Sequence, residues 1–138
     1  GTAPTRASST ADTFKAALYT VGANPPINAA TTAYTGTGEV TSTNYTAGGV
    51  TVTNANPPTS TNSSATAGVG YWTPSASIVY SAVTLTTSFD TVLVYNSTQS
   101  NKAVSVHTFT AQTITAGTFT LTMPSNTTTT ALLRLATT

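Results

Sequence analysis

The chain has no cysteine, so neither a disulfide framework nor a thiolate metal site can form, and the redox compartment stays open. Charge is scarce as well. Asp, Glu, Lys and Arg together supply 5% of the 138 residues, against roughly 25% in ordinary soluble domains. The cations Arg6, Lys15, Lys102 and Arg134 are scattered, and the net charge is +1. They make no basic stripe of the kind that neutralises nucleic-acid phosphates or attaches a protein to an anionic membrane surface. No run approaches the ~18 apolar residues of a membrane span. Neither a nucleic-acid nor a membrane partner is expected. The start does not read as a signal peptide; Gly1 without a Met points to a removed initiator or to a trimmed or cloned longer precursor.

The shortage extends to reactive groups. Zinc sites want several His, Cys or carboxylate ligands, and the chain has one His. Asp12, Glu39 and Asp90 are far apart in sequence, so no acid pair and no calcium loop is spelled out. Gly48-Gly49 and Gly68-Val69-Gly70 fit neither phosphate-loop pattern and read as turn glycines. His107 lies in an alternating stretch with Ser105 and Phe109 and reads as a partly buried strand residue bonded to a neighbour. Asp90 reads as a turn residue bonding nearby backbone. No catalytic, metal or cofactor-binding residue is assigned, and the expectation is a protein that is not an enzyme and needs no cofactor.

Threonine takes much of the place of charge, with Ser, Asn and Gly behind it. Thr is β-branched and stiff at χ1, so it sits on a pleated strand at little cost and keeps a hydroxyl for water. The composition leans towards sheet and away from long exposed helices, which carry charged, straight-chain residues. Residues 1–13 are small and polar, and read as a flexible N-terminal arm. Phe14 to Thr20 fits a strand, although Phe14 and Leu18 at i,i+4 would also suit a short helix. Glu39 to Thr43 and Val50 to Thr53 read as short strands. The second of two Ala-Asn-Pro-Pro runs opens a polar stretch to Gly68, long enough for a binding loop.

The second half is more regular. Val69 to Thr73 holds the one Trp. Ser77 to Thr87 alternates with a slip near Ala82, a candidate bulge. Thr91 to Tyr95 is apolar enough for a central strand, and the 96–101 loop returns the chain antiparallel into Lys102 to Phe109. Ile114, Ala116-Gly117, Phe119, Leu121 and Met123 suggest another hairpin. Ala131 to Leu135 closes the chain, with Arg134 pointing outwards. Seven or more short strands separated by turns give an all-β, antiparallel β-sandwich, jelly-roll-like or Ig-like, as one domain over residues 14–138.

Tyr71 and Trp72 could stack on a sugar, but a core or interface anchor is the favoured reading. The Asn-X-Ser/Thr triplets at Asn44, Asn62, Asn96 and Asn126 are expected by chance in so Thr-rich a chain. Soluble β proteins guard exposed strand edges with Lys, inward charges or Pro, and Lys is nearly absent here. Near-neutral net charge promotes association. Together these point to a surface covered by copies of itself or by a partner, with Arg6, Phe14, Tyr71 and Trp72 as candidate interface residues.

At Phe14-Lys15-Ala16-Ala17-Leu18-Tyr19, Thr31-Thr32-Ala33-Tyr34, Gly38-Glu39-Val40, Tyr45-Thr46-Ala47-Gly48-Gly49 and Trp72-Thr73-Pro74-Ser75, the chain resembles a group of small structural proteins of tailed bacteriophages. The similarity continues through Phe89-Asp90-Thr91-Val92-Leu93-Val94-Tyr95 and Thr115-Ala116-Gly117-Thr118-Phe119-Thr120-Leu121, and so covers most of residues 14–135. The resemblance implies a virion component, a head decoration or cement protein on the capsid surface. Its implied partners are the major capsid protein and copies of itself, a homotrimer. The alternatives are a phage tail or fibre module and a carbohydrate-binding host-recognition domain. The resembling residues are structural, so no site residues carry over.

Overall fold

The structure, a computed structural model, describes residues 11–54, 58–61 and 68–136. Arg6, with all but the last three residues of the expected arm, lies outside the described residues, as does most of the 55–67 stretch. The described residues hold seven strands and no helix: β1 (Phe14–Thr20), β2 (Val50–Thr51), β3 (Thr59–Ser60), β4 (Val69–Trp72), β5 (Ile78–Asn96), β6 (Lys102–Leu121) and β7 (Leu133–Ala136). They form two antiparallel sheets, ordered β2-β1-β5-β6 and β3-β4-β7, packed together as a β-sandwich.

β1 is a strand because it is buried on both faces. Ala16 and Leu18 belong to one apolar cluster, Ala17 and Tyr19 to another, and period two delivers apolar groups to both sides where an i,i+4 helix stripe would serve only one. The alanines fit because their neighbours are large. Thr91 to Tyr95 of β5 pairs β1 on one side and β6 on the other and is buried throughout, the central strand that its apolar run predicts.

β5 and β6 are 19 and 20 residues long and pair as one long hairpin from Ile78↔Leu121 to Asn96↔Lys102. This corrects two expectations: the strands are not all short, and no second hairpin occurs at residues 114–123. At Ala116-Gly117 the chain bends without reversing. Ala116 takes φ 46° and Ala82, on the facing strand, φ 53°, while pairing resumes on either side at Val83↔Gly117 and Tyr80↔Phe119. Positive φ locally re-aims a strand as a bulge does, which looks like a turn signal in sequence. Gly117 leaves room beside Ile114, whose Cγ2 would lie 3.1 Å from an added Cβ.

Ile78, Tyr80, Val83, Leu85 and Phe89 pack on Ala16, Leu18, Val92 and Val94. Phe89, Phe109 and Phe119 meet edge-on or tilted, with centroids 5.0–5.9 Å apart, a preferred aromatic geometry. Other corrections are local. Glu39 makes a single bridge to Tyr19, and no strand continues to Thr43, because the side chains here serve the core of a loop. The Val50–Thr53 strand shrinks to β2, and the polar 55–68 stretch contains β3.

Candidate interaction site

The small sheet is fastened to the large one at Trp72. Its ring lies 5.8 Å from that of Phe14, and its Nε1–H donates to Asn54 Oδ1 at 2.9 Å. Next to it, buried Thr73 accepts the Leu132 N–H on Oγ1 at 2.9 Å. Trp72 is 7% exposed, most of its ring packed into the junction of the two sheets. Away from this point the sheets part around a groove of about 810 Å³. Phe14, Tyr71 and Trp72, three of the four interface candidates, line this one groove. Arg6 lies outside the described residues.

The groove widens because of one register pair. Leu135 sits beside Gly70 across the β4–β7 ladder, and glycine supplies no side chain to cover it. Leu135 is left 78% exposed. Asp12 and Arg134 also line the groove, and Asp12 is held by amide donors from Asn96 (2.9 Å) and Gln99 (3.2 Å). The arrangement suits apolar side chains of a partner with polar contacts at the edge, as interface cores do. A second groove, of about 600 Å³, runs between residues 27–31 and the edge of β6.

A second constellation escaped the sequence reading, in which Glu39 was only the start of a strand. Its carboxylate, 9% exposed, accepts from the Tyr34 hydroxyl (2.6 Å) on Oε2 and from the Tyr45 hydroxyl (2.7 Å) and Gly48 N–H (2.8 Å) on Oε1. Three donors replace the water that burial removes. Tyr45 in turn accepts the Leu18 N–H (3.0 Å), Tyr95 donates to Gly48 O (2.8 Å) and Tyr80 to Ala16 O (2.8 Å). Tyr34 stacks on Tyr95 at 4.8 Å and Tyr45 on Tyr80 at 6.0 Å. The cluster seals the outer edge of β1 between β2 and Gly38–Val40, where Val40 N–H reaches Leu18 O and Thr20 N–H reaches Gly38 O. Loss of solvent, and then the neighbouring Glu39 carboxylate, push the Tyr34, Tyr80 and Tyr95 phenols upward. Burial likewise raises Tyr45, and lifts Tyr19 to about 12. Phenols held neutral in this way act as fixed donors. The legible trace was one acid among tyrosines at spacings of five and six, followed by Gly48-Gly49.

His107 is a half-buried strand residue whose Nε2 lies 2.9 Å from Ser105 Oγ, and burial lowers its pKa. Asp90 is corrected: it lies inside β5 and accepts the Thr91 hydroxyl at 2.8 Å, since the strand runs on where a turn was expected. Among the described residues no group of three or more His, Cys, Asp or Glu could hold a metal. Of the glycosylation-like triplets, Asn96 is buried and bonded to Asp12, and Asn44 donates its amide to Ala82 O. No protein-family model, curated protein or solved structure matches this chain.

Proposed function

We propose that the chain is a non-enzymatic virion structural protein, a capsid decoration (cement) protein that binds the major capsid protein on the outer surface of a phage head as a homotrimer. The observation that carries this reading is the nature of the surface. Among the described residues Lys102 and Arg134 are the only charged side chains in the fully exposed class. Asp12, Lys15 and Asp90 are half-buried, and most of the remaining described exterior is hydroxyl, amide and methyl, with Val21, Val79, Val104 and Leu135 outside the core. A surface with so little charge has little like-charge repulsion to keep copies or partners apart. The groove lined by Phe14, Tyr71 and Trp72 adds an apolar recess for a partner side chain.

A cement protein needs no reactive group. It favours the assembled shell by binding assembled subunits and not free ones, which mass action converts into stability. The test adds purified protein to shells assembled from the major capsid protein alone. Saturable binding at a fixed ratio and a higher melting temperature of the shell are expected. Equal binding to free subunits, or none to shells, overturns the role. A tail or fibre module would instead bind host polysaccharide, read on a glycan array with a Tyr71→Ala control.

A further inference from the structure

Among the described residues, β6 and β7 are edge strands of different sheets with no strand on their outer side. Pairing between β5 and β6 runs without a bulge from Thr91↔Thr108 to Val94↔Ser105, so residues 105–108 form a regular four-residue stretch on the outer edge of β6. Just before it that edge is already used: Ala103 N–H donates to Thr32 O at 2.9 Å, Tyr34 N–H donates to Asn101 O at 2.9 Å, and Ala33 bridges Lys102. The pairing segment then departs, and the 600 Å³ groove opens between residues 27–31 and the strand. Its walls include Ile27, Ala29, Val104 and Val106 and carry no charged side chain. An edge strand turns the N–H and C=O groups of alternate residues outward, so the groove offers a continuing ladder to one more strand.

Among the described residues β7 is the matching element. It forms the edge of the small sheet, is four residues long, and carries Leu135, the most exposed of the large apolar side chains. β2 and β3, with two residues each, are too short to fill such a ladder.

We propose that β7 of a second copy of this chain enters the groove and pairs with residues 105–108, its leucine covering the apolar wall. Pairing of β6 with β6 is disfavoured, because each copy keeps its own 27–31 segment alongside the edge and the two segments would meet. The interface joins two different surfaces and is therefore heterologous, the kind that closes into a ring where the rotation permits. This deepens the proposed function and rests on it only for the premise that copies associate.

The test uses two exposed positions, Thr108→Lys to block the groove and Leu135→Glu to spoil the incoming strand, followed by sedimentation at micromolar concentration. Wild type is expected as a closed oligomer, and each variant alone as a monomer with an unchanged circular dichroism spectrum. An equal mixture is expected to give a species of twice the monomer mass and no larger, since one intact groove and one intact strand remain. A monomeric wild type, assembly indifferent to both substitutions, or a mixture that stays monomeric while wild type assembles, overturns the pairing. Wild type that is monomeric yet decorates shells leaves the capsid role standing, whereas wild type that assembles as described but ignores shells upholds the pairing alone.

Discussion

Glu39 and Gly49 each hold the loop of residues 41–49 against β1, by opposite means. Glu39 does so by accepting three hydrogen bonds, Gly49 by having no side chain. Removing the carboxylate strands a buried N–H and two half-buried hydroxyls, and a buried donor without an acceptor costs about 1–3 kcal/mol. Glu39→Ala is expected to lower stability by roughly 3 kcal/mol, read as the urea midpoint. Glu39→Gln keeps one acceptor oxygen and should fall between, and a variant as stable as wild type would refute the role. Gly49 has φ 75°, and a Cβ there would overlap the Ala16 carbonyl oxygen. Gly49→Ala is expected to cost at least ~3 kcal/mol, combining an unfavourable backbone region with a steric clash against backbone.

The elements are joined unequally. β1, β5 and β6 share an extensive core, whereas the small sheet is fastened through Trp72 and the hydrogen bonds around it. Trp72→Ala should remove about 3–5 kcal/mol. Hydrogen exchange should then report lost protection in β3, β4 and β7 while β5 keeps its own; uniform loss across both sheets would contradict this. The long hairpin stores a smaller cost at its bends. Ala82 and Ala116 hold positive φ, a region that costs an L-residue roughly 1–2 kcal/mol and glycine little. Ala82→Gly and Ala116→Gly are expected to stabilise by up to about 1 kcal/mol each, measured by thermal unfolding. These bends explain why the number of hairpins was misread: Ala116-Gly117 has turn chemistry, and only the pairing on both sides reveals that the chain does not reverse.

For the whole molecule, the tyrosines dominate the pH response. Phenols pushed above their ordinary value of 10 in the folded state, Tyr19 to about 12 and the others upward, keep their protons where the unfolded chain releases them. Their contribution to stability is therefore level below pH 10 and declines as pH rises towards 12. Urea titrations from pH 8 to 11.5 should show this decline, with phenolate absorbance from the buried tyrosines appearing only on unfolding. Early phenolate absorbance from Tyr19, Tyr34, Tyr45, Tyr80 or Tyr95 in a still-folded protein would contradict the packing around Glu39. Stability should also respond little to salt, because few exposed charges exist to be screened.

The amino-acid sequence by itself determined the fold class: Thr-rich alternation selects sheet, and the apolar run at residues 91–95 selects a central strand. These properties are local, set by residue type and spacing. Strand order, the single bent hairpin, the meeting of Phe14 with Trp72 and the convergence of Tyr34, Tyr45 and Gly48 on Glu39 came from the tertiary structure. Each depends on contacts between residues distant in sequence or on how a loop closes, and no periodicity along the chain records which distant edge or ring a side chain will meet.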